Sequence, residues 1–258
     1  MTTEIDFSKL SAYQRYKLMA SLIVPRPIAL VTSLGANKVV NAAPFSMFNM
    51  IGEDPPILMI SINRLQDGQL KDTAANILHN GEFVVHMSDE PIAQKMHACG
   101  KNFPSNVSEL AAVGFTEVPS QTVKPPRIAE APIAFECVLH EKLETPSRYV
   151  FIGRIQWLAA RDGLIDTQAW RVNLKNYSPV ARFGASFYTR TDDRFAISDT
   201  EGELPKNDTA IDKLWYPSRS LHFDIGLAYQ FSKSFKFLSI ELGKLLHTQG
   251  ARLTSQPF

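Results

Sequence analysis

Apolar residues along this chain gather in short runs that suit strands far more often than they fall at helical spacing. Ile28-Ala29-Leu30-Val31-Thr32 is one run, and Leu34-Gly35-Ala36-Asn37 supplies a turn into Val39-Val40. Residues 57–62 form a second run, preceded by Pro55-Pro56, which bars a helix there. Residues 82–87, 133–139 and 149–155 extend the series, and Arg161-Asp162-Gly163 is a turn after the last. The period changes in three places. Asp72 is placed to cap a helix through Asn80, ended by Gly81; Asp89 with Pro91 opens a second, closed by Gly100; residues 107–113 form a third, stopped by Gly114. Many short strands, few helices and no regular strand–helix alternation predict an all-β barrel with helical decoration.

The pattern shifts after about Arg190. Residues 191–212 are polar, with Gly202, Pro205 and Asn207, while Leu238, Leu242, Leu245 and Leu246 recur at helical spacing. The expected organisation is a barrel domain over 1–195, then a linker and C-terminal helical appendage over 196–258, its helix at roughly 233–247.

Composition narrows the class. Of 258 residues, 45% are apolar and 21% charged, which suits a folded globular chain. The formal charge is +1 with no dense Lys/Arg block, which argues against nucleic acid or an anionic membrane as the main partner. The longest apolar run, about Leu18 to Val31, is broken by Pro25, Arg26 and Pro27, so no bilayer span is expected. The opening MTTEIDFSKL lacks the character of a secretory signal, and the two cysteines, Cys99 and Cys137, are too few for a disulfide framework. A cytoplasmic location with both thiols reduced is expected.

Several common sites are missing. No two glycines stand two residues apart, so the dinucleotide fingerprint is absent, as is the Walker lysine loop. Gly184-Ala185-Ser186-Phe187-Tyr188 lacks the second glycine of a nucleophile elbow. His97-Ala98-Cys99 has a spacing that two metal ligands would tolerate, but reads more simply as an exposed histidine beside a buried thiol. No catalytic side-chain set and no metal site are expected.

Two clusters do carry chemistry. In Asn41-Ala42-Ala43-Pro44-Phe45-Ser46 the alanines let backbone approach a flat ligand, Pro44 fixes the chain, Phe45 walls an apolar slot, and Asn41 and Ser46 aim polar groups. Alone, the segment reads more simply as a core strand ending in a proline turn. The second cluster is Ser61 and Arg64, then Lys71-Asp72-Thr73 at a predicted helix start, where two cations and free N–H groups suit a monophosphate. Arg64 and Lys71 serve equally as loop solubilisers. Together the clusters offer a ring slot and a phosphate seat, the two parts of FMN.

At this point the chain resembles a known family. Arg26-Pro27-Ile28-Ala29-Leu30-Val31-Thr32, the 41–46 segment, Asp54-Pro55-Pro56 with Ile60-Ser61-Ile62, and Lys71-Asp72-Thr73 with Asn76 are similar, in order and spacing, to the flavin reductase-like, FMN-binding split-barrel family. Val123-Lys124-Pro125-Pro126-Arg127-Ile128 and Pro179-Val180-Ala181-Arg182-Phe183-Gly184 extend the match, which covers roughly Leu18 to Arg194. The resemblance implies a Greek-key split barrel and a homodimer with FMN near the subunit interface. It implies that 41–46 meets the ring and ribityl chain, that Ser61, Arg64, Lys71 and Thr73 surround the phosphate, and that Tyr188 lies near the flavin edge or dimer seam. Relatives carry a His-Arg-Gly-x-Tyr-like segment late in the barrel; here Ala181 to Tyr188 has no histidine. The implied activity is an oxidoreductase, an NAD(P)H-dependent flavin reductase passing hydride to FMN, with FAD as the alternative flavin. An FMN-containing electron carrier reduced by a protein partner, and a non-catalytic binding module, remain open beside it.

Overall fold

The computed structural model describes residues 2–184 and 186–195. The chain divides into two compact units between Arg194 and Phe195. The predicted linker and the helix over 233–247 lie outside the described residues.

Seven strands form the main sheet: β1 (Ala29–Leu34), β2 (Val40–Phe45), β3 (Phe48–Glu53), β4 (Pro56–Asn63), β5 (Glu82–Met87), β6 (Ile133–Thr145) and β7 (Arg148–Ala160). Their order is β2-β1-β5-β6-β7-β4-β3, with every pair antiparallel. The edge strands β2 and β3 are joined by only Ser46 and Met47. Such a short link forces the sheet to curl until its edges meet, and the Ser61 N–H donates to the Met47 carbonyl at 2.8 Å, carrying the β3–β4 ladder into the link. The result is an all-β split barrel. A small second sheet pairs Arg26–Pro27 with Ala181–Phe183, and that strand with Phe187–Thr189.

Alternation explains the two cores. Ala29 and Val31 of β1 point into the barrel with Ile60, Ile62, Phe83 and Phe151. Ile28 and Leu30 point out, packing with Ala42 against Met96, Cys99 and Leu110. Burial on both faces is why this run is continuously apolar. Gly153 sits at a register shift in β7, and a Cβ there would run into the fully buried Phe83 ring, so only glycine fits.

Among the described residues four α-helices decorate the barrel: α1 (Ala12–Leu22), α2 (Asp72–Asn80), α3 (Ala93–Ala98) and α4 (Glu109–Val113). Asp72 is not the cap of α2. Lys71 holds the extended cap conformation with no side-chain bond, and Asp72 is the first helical residue. Helix α1 was not among the expected elements, although Ser11 and Gln14 cap it reciprocally: the Gln14 N–H donates to Ser11 Oγ at 3.3 Å and the Ser11 N–H to Gln14 Oε1 at 2.9 Å. Strand β3 is likewise additional, since as an exposed edge it lacks clean alternation.

Candidate functional site

Strand β2 is the floor of the site. Asn41 is buried and its amide donates to Thr73 Oγ1 at 2.8 Å and Ser33 Oγ at 3.3 Å; Asn76 donates to the same Ser33 hydroxyl at 3.1 Å. These bonds tie β1, β2 and the first turn of α2 together. Ala42 turns its methyl into the outer core, and its N–H donates to Glu109 Oε2 at 2.9 Å. Burial raises the Glu109 carboxyl above its ordinary range. Above the strand opens a cavity of about 350 Å³, whose lining includes Asn41, Ala43, Pro44, Phe45, Lys71 and Thr73.

Positive charge is concentrated beside it. Arg148 donates to Ser61 Oγ at 3.1 Å, and its guanidinium also reaches Met47 Sδ. Lys71 lies 6.0 Å from the centre of the Phe45 ring. Burial, and then the charge of Arg148, holds Lys71 below its ordinary value. Burial likewise lowers Arg148. Among the described residues neither cation has a carboxylate within ion-pair distance. Two half-buried cations, one of them depressed by the charge of the other, call for an anion.

Arg64 does something else. It pairs with Glu144, donates to the Gly68 carbonyl at 3.1 Å and lies 5.1 Å over the Tyr149 ring. The cause is strand parity. Tyr149 faces Ile62 and Glu144, whereas Val150 faces Ser61, so Arg148 shares a face with Ser61 while Arg64 falls with Tyr149.

A second cavity, of about 590 Å³, adjoins the first, and Pro44, Gly100 and Lys101 border both. Gly100 packs so closely that a Cβ would lie 3.3 Å from Pro44 Cγ and 3.2 Å from the His97 carbonyl. Ser46 and Tyr188 line this second space with Tyr13, Tyr16, Arg26 and Arg182. The Tyr188 hydroxyl meets His97 Nδ1 at 2.8 Å. His97 of α3 thus reaches the 181–188 segment, which has no histidine of its own.

Of the expected site residues, Asn41, Ala43, Pro44, Phe45, Lys71, Asp72 and Thr73 border the first cavity, and Pro44, Ser46 and Tyr188 the second. Ser61 stands beside Arg148, Ala42 contributes backbone, and Arg64 is committed to Glu144. Sequence reasoning missed Arg148, Glu109, Arg26, Arg182 and His97. Parity was a usable signal for Arg148, because Ser61 and Arg64 are three apart and cannot share a strand face. Cys99 and Cys137 are free and buried, with burial pushing the Cys99 thiol up to about 12. Among the described residues no group of three metal-ligating side chains converges. No described helix is long and apolar enough to cross a membrane.

The donor set fits a flavin monophosphate: small side chains and a proline along the floor, a polar strand end, and unneutralised cations beside it. The model of the flavin reductase like domain matches residues 19–177. The chain is 40% identical to a solved structure of 2-nitrobenzoate 2-nitroreductase NbaA from Pseudomonas fluorescens, covering 80% of this chain and 100% of that one at a TM-score of 0.70. It is 31% identical to nitrilotriacetate monooxygenase component B from Bacillus cereus, covering 76% of this chain and 99% of that one at a TM-score of 0.72. A protein of Aquifex aeolicus is 39% identical over 175 residues, 68% of this chain and 89% of its own length.

Proposed function

The chain belongs to the flavin reductase-like domain family, and on that premise we propose that it is an FMN-dependent oxidoreductase reduced by NADH or NADPH. The observation that carries this reading is the pair of half-buried cations Lys71 and Arg148, neither with a carboxylate within ion-pair distance among the described residues, with Lys71 at the edge of a cavity floored by 41–45. Lys71, Arg148 and the Ser61 hydroxyl would hold the phosphate. The Asn41–Thr73 bond fixes the strand against α2, and Glu109 fixes the backbone at Ala42, so the floor is rigid before a ligand arrives. Bound flavin would supply the hydride chemistry, accepting from the nicotinamide and passing electrons on. No side-chain nucleophile is needed.

The decisive experiment is anaerobic addition of NADH or NADPH to the FMN-loaded protein. Bleaching of the flavin absorbance is expected with at least one donor; no bleaching with either sinks the reductase reading. The larger cavity favours a second reading on the same scaffold, in which the flavin stays bound and reduces a small molecule held beside Pro44. Rate saturation by free FMN as acceptor supports release of reduced flavin, and its absence supports the bound form.

Exposed apolar side chains on and after α1, among them Tyr13, Met19, Leu22 and Ile23, together with Phe187, suit a homodimer seam. Sedimentation of the purified chain tests it. The buried reduced thiols fit a cytoplasmic setting.

A further inference from the structure

A further cavity, of about 280 Å³, adjoins the one floored by β2 and shares Asn41, Asp72 and Glu109 with it. Gly35 and Asn37 enter it from the β1–β2 turn, Asn76 from α2 and Ser105 from the loop before α4. Its polar lining is made of carboxylates, amides and a hydroxyl. Among the described residues no Lys, Arg or His side chain lines it.

The acids there are unanswered. Neither Asp72 nor Glu109 has a cation within ion-pair distance among the described residues. Glu109 is only 7% exposed, and the charge of Asp72 bears on it. Asp72 and Asn76 stand four apart on α2 and so share a face of the helix. Asn76 is 9% exposed; its amide donates to Ser33 Oγ at 3.1 Å, and among the described residues no donor meets its Oδ1. Asn41 is alike, with its amide hydrogens given to Ser33 and Thr73 and no described donor on Oδ1. A buried carbonyl oxygen without a donor carries a cost that a bound ligand removes.

Gly35 makes the room. A Cβ on it would lie 2.6 Å from Asn37 Oδ1 and 3.6 Å from Asn76 Oδ1, so both amide oxygens approach one point. The backbone of Gly35 is not left-handed, and the space is therefore what glycine supplies here.

We propose that this cavity binds one calcium ion, held by the carboxylates of Asp72 and Glu109 and the amide oxygens of Asn76, Asn41 and Asn37. Two carboxylates match the charge of a divalent ion, and neutral carbonyl oxygens are ligands that calcium accepts, with water completing its shell. The cavity lacks a third acid, histidine or thiol, which suits a hard ion and not a zinc or iron centre. Magnesium demands a tighter octahedron and keeps more of its own water. The ion would tie the β1–β2 turn to the start of α2. The assignment does not rest on the flavin reading.

The test is calorimetric titration of the EDTA-treated, full-length protein with CaCl2, both flavin-free and FMN-loaded. One calcium per chain is expected at about 10⁻⁴–10⁻³ M, with MgCl2 at least about tenfold weaker. Asp72→Asn lowers calcium affinity by about tenfold or more, and Gly35→Ala lowers it by about tenfold while removing no ligand. Asn76→Asp adds a charge and raises it by about tenfold. Asp162→Asn, at an exposed turn elsewhere, leaves it unchanged. If Asp72→Asn does not fold, Gly35→Ala and Asn76→Asp decide. No calcium binding, or one affinity across wild type and all folded variants, would overturn the site. So would equal affinity for magnesium, or a loss in Asp162→Asn. Calcium taken only by the FMN-loaded protein would place the ion on the phosphate and overturn the site as well. Calcium binding by a protein that takes no FMN would sink the flavin reading and leave the site standing. Flavin bleaching in a protein that ignores calcium would do the reverse.

Discussion

Arg64 and Arg148 sit at the ends of two paired strands, and they meet opposite fates. Arg64 is answered within the fold by Glu144, the Gly68 carbonyl and the Tyr149 ring. Among the described residues Arg148 is answered by a hydroxyl and a thioether, and its charge bears on Lys71. The same division runs through the described residues. Arg127 pairs with Glu136, Arg161 with Asp89 and Arg190 with Glu90, all away from the 350 Å³ cavity floored by β2. Charges that the fold neutralises hold the frame, and the charges that it leaves open are the ones proposed to face the ligand.

The frame should give the largest effect on stability. Glu136 is fully buried, accepts from the Gln121 N–H at 2.9 Å and the Thr122 N–H at 2.7 Å, and pairs with Arg127. Glu136→Ala is expected to cost about 3–5 kcal/mol in urea denaturation, since it leaves a charge and several donors uncompensated. FMN affinity of the folded fraction should be unchanged. A loss below about 1 kcal/mol would break the distinction.

The next effect is one of pH. His86 is buried between the Leu30 carbonyl, 2.9 Å from Nδ1, and the Ile128 N–H, which donates to Nε2 at 3.0 Å, so the ring is neutral with its proton on Nδ1. Burial lowers it from 6.5 to about 4. Between those values the unfolded chain binds the proton and the folded chain does not, so stability is full above about pH 6.5 and falls toward pH 4. The expected contribution is roughly 3 kcal/mol, read as a falling urea midpoint. Titration of His86 by NMR near its ordinary value would contradict it.

Removing the open charges should act on binding instead. Lys71→Ala and Arg148→Ala are each expected to raise the FMN dissociation constant by about tenfold to a hundredfold, or ~1.5–3 kcal/mol. Each should leave thermal stability equal or slightly higher, because a repulsion between half-buried like charges is relieved. Arg64→Ala gives the smallest effect: FMN affinity within about threefold, and about 1 kcal/mol of stability from a pair whose Glu144 end is exposed. A larger loss of affinity for Arg64→Ala than for Arg148→Ala would reverse the comparison.

Much of this was legible in advance. The apolar run at 28–32, the proline-barred strand at 57–62, the glycine-bounded helix ending at Asn80 and the two long later strands all appear close to where the pattern put them. The site was half legible. Asn41, Pro44, Lys71 and Thr73 gather because β2 and α2 are tied through local polar bonds between nearby segments. Arg148 was overlooked since it lies 87 residues from Ser61 and meets it only through the register of β7 with β4. Arg26 and Arg182 are brought face to face by a two-residue strand too short to show any periodicity.

By itself, then, the sequence determined the element types, the all-β class and the segment that forms the floor, because propensity, proline geometry and alternation act over a few residues. Only the tertiary structure decided which cations are spoken for and which are open. That choice depends on strand parity and long-range register, where a shift of one residue exchanges the two faces.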